Sequence, residues 1–423
     1  MAKAGETLDA LHVSAHICDV RIGAGRRRNV RRQRRQRGEQ MSRRLCLSAL
    51  GAAMALSVAA CGGQGAGGTS NTEDAAAEDL TVGVSMPTQT SERWIADGNN
   101  VKEQLEKKGY QVDLQYANDD IPTQAQQIDS MITQGADALI IASIDGTALS
   151  GQLATAGSQD IPVISYDRLI RDTPNVDFYV SFDNFKVGVA QAESLLKGLG
   201  VLDESGERTD AKGPINIELF AGSLDDNNAH FFWDGAMSVL EPLMKDGTLV
   251  VPSGQTDIEQ AAILRWSQEG AQKRMEDLLT STYNRGTKLD GVLSPFDGLS
   301  RGIITALQNA GYGPTITSDG KPMPIVTGQD AEIASVKLIE DDVQYSTIFK
   351  DTRLLAEQAV NAAEAFLEGE KPEANDTETY DNGVKVVPSY LLPVETVTKD
   401  NVKEVLVDSG YYTEDEVAAG QTD

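Results

Sequence analysis

Charged, amide and aromatic residues follow short apolar runs at six places in this sequence, and they are the residues best suited to do chemistry. The six groups are Ser91-Glu92-Arg93-Trp94, Asp167-Arg168, Asp225-Asp226-Asn227-Asn228, Phe296-Asp297, Gln329-Asp330 and Lys350. Carboxylates accept hydrogen bonds from hydroxyl groups, arginine and lysine donate to hydroxyl oxygens, and asparagine does both. Tryptophan packs against C–H surfaces and excludes water. Together these groups could bind a small molecule that is rich in hydroxyl groups.

The apolar runs that precede these residues alternate with helical patterns. Strands are predicted at residues 81–86, 112–116, 138–142 and 162–166, with a helix capped by Ser91 and helix ends at Gly109 and Gly135. The alternation then restarts, and strands are predicted at residues 215–220, 249–251, 291–293, 324–327 and 345–348. Continuous apolar strands separated by amphipathic helices are typical of a parallel α/β sheet that is covered on both faces.

Two lobes account for this pattern better than one sheet does. An open sheet of about ten or more strands would be unusually wide, so each half is predicted to form its own doubly wound parallel sheet with helices on both faces. The first lobe is predicted to comprise residues 80–182 plus 352–387, and the second lobe residues 183–351 plus 388–423. Strand-like crossovers near Ser181, Asp351 and Val387 would join them.

The six polar groups are expected to meet at one edge of the two sheets. Ligands of open α/β sheets bind beyond the carboxyl ends of the strands, where these residues fall. Considered one at a time, an Asp or Asn after a strand is commonly only a helix cap, and Trp266 alone would commonly be a core residue. The coincidence of six groups at the same end of both sheets favours a binding site.

Several of these segments resemble those of the periplasmic sugar-binding proteins that serve ABC importers. Tyr166-Asp167-Arg168 is similar to the Asp-Arg step of ribose- and xylose-binding proteins. The segments that resemble xylose-binding and multiple-sugar-binding members are Asp225-Asp226-Asn227-Asn228-Ala229, Thr327-Gly328-Gln329-Asp330-Ala331-Glu332 and Phe349-Lys350-Asp351-Thr352-Arg353. Ser294-Pro295-Phe296-Asp297-Gly298 is more similar to the multiple-sugar-binding members. The resemblance covers about residues 80–407. It implies a two-lobed type I periplasmic binding protein that captures a monosaccharide, a pentose or hexose pyranose, between its lobes.

The resemblance also implies which residues bind the sugar. They are Glu92, Arg93, Trp94, Asp167, Arg168, Asn228, Trp266, Asp297, Asp330 and Lys350. Asp167 and Arg168 would hold adjacent hydroxyl groups, and Trp266 would stack on the sugar ring. Asn228 would donate a hydrogen bond from the second lobe. Phe296 stands where the xylose-binding protein has an asparagine, which weakens the case for xylose in particular.

The first 60 residues are predicted to be absent from the working protein. Residues 1–40 contain an arginine-rich stretch and are interpreted as an upstream extension before a start at Met41, with a nucleic-acid-binding arm as the alternative. Residues 41–60 have the layout of a lipoprotein signal peptide, and Cys61 would receive the lipid, unless the signal is an ordinary one. Residues 61–79 are predicted to be a flexible tether. The protein would then be exported and anchored on the outer face of the cytoplasmic membrane.

Composition and motifs disfavour several other classes of protein. A formal net charge of −27 repels nucleic acid, and a regulator of the lactose-repressor type would need an N-terminal helix-turn-helix. The chain has three His residues, of which only His230 lies after the predicted signal peptide. It contains no nucleophile elbow, zinc-protease motif or phosphate loop. We therefore expect no enzyme activity and no cofactor.

Three interpretations remain as alternatives or additions. Asp225-Asp226 could supply the carboxylate pair of a glycosidase, although adjacent carboxylates at a strand end are more often caps or ligand-binding groups. Asn118-Asp119-Asp120 lacks the alternating oxygen ligands of a calcium loop, so a turn and no metal site is predicted there. The loaded monomer is expected to meet ABC permease subunits, and a chemoreceptor or sensor kinase is the alternative partner.

Overall fold

The computed structural model describes residues 77–422. The predicted upstream extension, the signal peptide, the lipidation site Cys61 and most of the predicted tether lie outside the described residues. Ala77–Asp79 form a short 3-10 helix before the first strand. No helix within residues 77–422 is both long and apolar enough to cross a membrane.

Strands and helices alternate through most of the described chain. The strands are β1 (Thr81–Met86), β2 (Gln111–Tyr116), β3 (Ala138–Ile141), β4 (Val163–Tyr166), β5 (Phe178–Phe182), β6 (Ile215–Leu219), β7 (Leu249–Val250), β8 (Gly291–Leu293), β9 (Ile325–Val326), β10 (Ser346–Phe349), β11 (Ser389–Leu392) and β12 (Glu395–Thr398). The α-helices are α1 (Glu92–Lys108), α2 (Ile121–Gln134), α3 (Ser150–Ser158), α4 (Asn184–Gly198), α5 (Asn227–Lys245), α6 (Ile258–Ala261), α7 (Gln268–Ser281), α8 (Asp297–Asn309), α9 (Ile333–Glu340), α10 (Thr352–Leu367) and α11 (Glu414–Ala419). A 3-10 turn covers Leu264–Trp266, and a π-helical turn covers Lys403–Val407.

The first lobe is built on a six-stranded parallel sheet in the order β11-β5-β4-β3-β1-β2. Successive side chains of a strand point to opposite faces, and β3 shows this clearly. Ile140 belongs to an apolar cluster with Leu105 of α1 and Leu355 of α10. Its neighbour Leu139 belongs to a second cluster, with Ile128 of α2. Helices therefore cover both faces of this sheet, as predicted.

The second lobe contains a four-stranded parallel sheet in the order β7-β6-β8-β9. One strand departs from the parallel arrangement expected from the sequence. The strand predicted at residues 345–348 is β10, and it pairs with β12 in the antiparallel sense, with Ser346 opposite Thr398. The path of the chain explains the difference, because β10 leads out of this lobe and β12 begins where the chain returns to it.

The chain passes between the lobes at three points. It leaves the first sheet after Phe182, returns to that lobe between β10 and α10, and crosses finally between β11 and β12. The predicted third boundary needs correction, since it assigned residues 388–423 to the second lobe. Ser389–Leu392 instead pairs with Tyr179–Phe182 in the first sheet, so this crossover lies between Leu392 and Glu395.

Two helices of the second lobe place part of its binding surface. Helices α4 and α5 approach so closely that a Cβ atom on Gly188 would lie 2.0 Å from the carbonyl oxygen of Phe232. Only glycine fits such a contact between backbones. The close packing holds the first turns of α5, which carry Asn228 and Phe232, beside the crossover that follows Phe182.

Candidate ligand-binding site

A cavity of about 410 Å³ lies between the lobes and is lined by residues of both. This volume is within the range of small-molecule sites, roughly 300–1,000 Å³. Eight of the ten residues predicted to bind ligand line it: Arg93, Trp94, Asp167, Arg168, Asn228, Trp266, Asp330 and Lys350. They follow strands or begin helices at the same edge of the two sheets, which is why the strand-end rule brings them together.

Four buried charged residues form a closed ring across the cavity, here called the charged ring. It consists of Arg93, Asp167, Lys350 and Asp330. Arg93 forms an ion pair with Asp167, and its Nη1 lies 3.4 Å from Asp330 Oδ1. Lys350 Nζ lies 3.0 Å from Asp330 Oδ1 and 3.8 Å from Asp167 Oδ2. Positive and negative groups thus alternate, and each has two partners of opposite charge within the ring.

Asp167 is held both by its charge partners and by its backbone. Burial acts to raise the pKa of Asp167, but Arg93 and Lys350 outweigh it and hold that pKa at about 2. The Asp167 carbonyl oxygen accepts hydrogen bonds from Tyr179 Oη at 2.6 Å, Ser181 Oγ at 2.8 Å and Asn228 Nδ2 at 2.9 Å. The ionised carboxylate is therefore fixed in position, ready to accept hydrogen bonds from hydroxyl groups.

Asn228 connects the second lobe to this carboxylate. Its Nδ2 donates to the carbonyl oxygen of Asp167 and, at 3.3 Å, to Asp167 Oδ1. Its Oδ1 accepts from Asn184 Nδ2 at 3.0 Å. Asn184 also donates to Tyr179 Oη at 3.2 Å, so a buried polar network joins the first crossover to the cavity. The amide of Asn228 thus contacts protein groups as well as lining the cavity.

Aromatic rings form another part of the cavity wall. Trp266 makes edge-on contacts with Phe232 and Phe296, with ring centres 6.3 and 6.1 Å away. A Cβ atom on Gly222 would lie 2.0 Å from the Trp266 ring, so glycine is required there. Trp94 lies against the guanidinium groups of Arg93 and Arg168, each 4.9 Å from its ring centre. These rings offer flat apolar surfaces beside the charged ring.

Arg168 makes a further connection between the lobes. Its Nε lies 3.0 Å from Asp226 Oδ2 on the second lobe, and its Nη1 donates to the Ser143 carbonyl at 3.2 Å. Burial raises the pKa of Asp226, against the effect of Arg168. The neighbouring Asp225 pairs with Arg265. Neither carboxylate of this pair is therefore a free acid–base group.

Three of the predicted residues have left-handed backbone conformations. The φ angles are 58° at Asp167, 53° at Trp266 and 89° at Asp330. Aspartate adopts this conformation more readily than most residues, but a bulky tryptophan does so rarely. Residues held in sparsely populated backbone conformations cluster at functional sites. Their coincidence around one cavity supports its assignment as a binding site.

Two predicted residues lie outside the cavity. Glu92 is exposed, because it precedes Arg93 on α1 and adjacent helix residues point about 100° apart. Asp297 lies beneath the site, where it accepts hydrogen bonds from Glu332 N at 2.9 Å, Thr347 Oγ1 at 3.0 Å and Gln344 Nε2 at 2.8 Å. Burial raises the pKa of Asp297 well above its usual range. Its structural role is to support the loop that carries Asp330.

Several residues of the site were not predicted. Phe232, Arg301 and Glu332 line the cavity without having been predicted to do so. Phe296 and Gln329, which belong to two of the six polar groups but were not assigned a role in binding, line it as well. Asp97 was not predicted either: its Oδ2 lies 3.2 Å from Arg93 Nε, and its Oδ1 accepts a hydrogen bond from Tyr166 Oη at 2.5 Å. The i, i+4 spacing of Arg93 and Asp97 on a predicted helix was a usable signal for that pair.

The segment Asn118-Asp119-Asp120, for which a turn was predicted, lies among the described residues. Asp119 has φ 59°, and Asp120 caps α2 by accepting from Thr123 N at 2.9 Å, which makes this segment a turn and a helix start. Within residues 77–422, no group of three or more His, Cys, Asp or Glu side chains is placed to hold a metal ion.

Comparison with known proteins identifies the class. The periplasmic binding protein domain matches residues 82–371. The chain is 55% identical over 342 residues to the multiple sugar-binding periplasmic receptor ChvE of Rhizobium radiobacter, covering 81% of this chain and 93% of the relative. It is 34% identical over 341 residues to the D-xylose-binding periplasmic protein of Escherichia coli (strain K12), covering 81% and 93%.

A solved structure agrees with this relationship. An ABC transporter solute-binding protein from Clostridium phytofermentans, with bound β-D-glucose, is similar with a TM-score of 0.74 and 46% identity, covering 80% of this chain and 99% of that one. The chain belongs to the periplasmic binding protein family. The family and the type I fold predicted from the sequence are thereby confirmed.

Proposed function

We propose that this protein captures a monosaccharide, a pentose or hexose pyranose, in the cavity between its lobes. The observation that carries the proposal is that the charged ring lies beside the aromatic ring of Trp266 in the cavity wall. A sugar needs donors and acceptors for its hydroxyl groups and apolar surface for its C–H faces. The cavity provides both, and the names of the relatives and the glucose bound in the similar structure support the same ligand class.

The sugar would be bound and released without chemical change. Asp167 remains ionised because its pKa is about 2, so it is suited to accepting hydrogen bonds and unsuited to donating a proton. Asp225 and Asp226 pair with arginines. Closing of two lobes around a ligand is the usual motion of periplasmic binding proteins. The three crossovers would act as the hinge, and the eight cavity residues would be the ligand-binding set.

Transport is the proposed purpose of this capture. We propose that the protein is exported, held at the outer face of the cytoplasmic membrane by lipid on Cys61, and delivers sugar to the permease subunits of an ABC importer. The similarity to an ABC transporter solute-binding protein supports the partner. The signal layout in the sequence supports the anchor.

A thermal-shift screen tests the binding proposal directly. A ligand that binds only the folded protein raises its melting temperature. D-Glucose, D-galactose, D-xylose and L-arabinose would be compared with glycerol, which offers hydroxyl groups but no ring. We expect at least one of the four sugars to raise the melting temperature, with its affinity then measured by calorimetry and its recovery unchanged checked by chromatography. Absence of a shift with every sugar would refute the proposed ligand class.

A further inference from the structure

A further contact joins the lobes beside the charged ring. Ser91 occupies the N-cap position of α1 with an extended backbone, where a serine hydroxyl ordinarily accepts a hydrogen bond from the first helical turn. Its side chain makes no such bond. Ser91 Oγ instead donates to Glu332 Oε1 of the second lobe at 2.6 Å. The hydroxyl thus serves the contact between lobes rather than the helix that it begins.

Glu332 is held firmly in place on the second lobe. It is 2% exposed, and its Oε2 accepts from Arg301 Nη2 at 2.6 Å. Its backbone N–H donates to Asp297 Oδ2 at 2.9 Å. Arg301 is itself fixed by donation to Ser335 Oγ at 3.0 Å. The carboxylate therefore presents one oxygen to the first lobe from a rigid support.

Glu92, the first residue of α1, lies next to this contact. Partial burial and the nearby charge of Glu332 raise the pKa of Glu92. Glu92 is therefore placed beside the contact between the lobes and outside the cavity.

We propose that Ser91 and Glu332 form a latch that stabilises the closed lobes whichever sugar is bound. The latch rests on the proposed function. A contact made only when the lobes are closed changes the population of the closed state, so it changes the affinity for every ligand by the same factor. A contact to the sugar itself would change affinities unequally among sugars that differ at the hydroxyl concerned.

Ser91→Ala separates these two possibilities. The Kd and the dissociation rate would be measured for the two sugars that bind the parent protein most tightly among D-glucose, D-galactose, D-xylose and L-arabinose. Loss of a hydrogen bond to a carboxylate should raise both Kd values by the same factor, roughly 5- to 20-fold, mainly through faster dissociation. Ser158→Ala is the matched control, because that hydroxyl bonds only to Thr155 of its own helix.

Two results would overturn the latch. Unchanged Kd values in Ser91→Ala would show that the contact does not stabilise closure, and unequal changes would make Ser91 a sugar contact. Binding by the parent protein tests the proposed function, whereas the ratio of variant to parent tests the latch. A double variant, Ser91→Ala with Glu332→Gln, should lose less than the two single variants combined, because both remove one bond. Fully additive losses would count against a direct partnership.

Discussion

Replacing Asp167 with asparagine should abolish tight sugar binding and leave the fold intact. Asparagine has the same shape and, like aspartate, tolerates the left-handed backbone found there. The three hydrogen bonds to the Asp167 carbonyl oxygen do not depend on the side-chain charge. The substitution therefore removes the negative charge that faces Arg93 and Lys350 and leaves the surrounding backbone unchanged.

The expected loss follows from the bonds that the carboxylate makes. Hydrogen bonds to charged groups contribute about 1.5–3 kcal/mol each. Two sugar hydroxyls bound to an amide oxygen instead of a carboxylate, with Arg93 and Lys350 less well paired in a closed cleft, should weaken binding by roughly 3–4 kcal/mol. At about 1.4 kcal/mol per factor of ten, Kd should rise by roughly several hundred-fold.

Calorimetric titration of the parent and the variant with the same sugar decides the matter. Asp172→Asn is a matched control, because Asp172 is exposed, also has a left-handed backbone with φ 59°, and lies away from the cavity. Circular dichroism and thermal melts check that both variants fold. If Asp167→Asn bound sugar within about threefold of the parent, less than 1 kcal/mol, the site assignment would be refuted.

Trp266→Ala should raise the Kd for sugar roughly tenfold by removing the ring that Phe232 and Phe296 hold in place, whereas Trp266→Phe should keep most of the affinity in calorimetry. Equal losses would contradict a stacking role. Burial raises the pKa of Asp97 to about 7, so its contribution to stability declines as the pH rises from about 4 through 7. The melting temperature of the Asp97→Asn variant minus that of the parent should therefore increase as the pH rises through this window. A difference that does not change with pH would refute that account. Mass spectrometry of the membrane fraction should find lipid on Cys61 and no peptide from residues 1–60; arginine-rich peptides from residues 26–37 would refute the export prediction.

The positions of most strands could be predicted because parallel strands buried on both faces have continuous apolar runs. β3, Ala138–Ile141, is of this kind, and all four of its residues are buried. The partner of a strand is harder to predict from its sequence. Nothing in the local sequence of Ser389–Leu392 indicates that this strand pairs with β5, more than two hundred positions earlier in the chain. That pairing decides to which lobe the strand belongs. The third crossover was misplaced for this reason.

The site residues that follow strands could be predicted because the topology of parallel sheets brings strand ends together. Asp167, Asp330 and Lys350 are examples. Site residues within helices were harder to predict from the sequence, since the rotation of a helix about its axis decides which side chains reach the cavity. Phe232 on α5 lines the cavity for this reason, and Glu92 on α1 does not. A charged residue at a strand end, such as Asp297, can equally be buried in support of the loop.

The cavity contains strained backbone and buried charges, both of which destabilise the folded protein in the absence of ligand. A left-handed backbone at a bulky residue such as Trp266 costs on the order of 1–3 kcal/mol. Buried ion pairs, here those between the lobes, Arg93–Asp330 and Lys350–Asp167, commonly contribute less to stability than well-packed apolar groups would. Since the free energy of unfolding of a whole domain is only about 5–15 kcal/mol, such features reduce it by a substantial fraction. They are understandable if the pairs form as the lobes close. Charges that are hydrated in an open cleft then become desolvated donors and acceptors around a sugar, where each hydrogen bond is stronger than it would be in water.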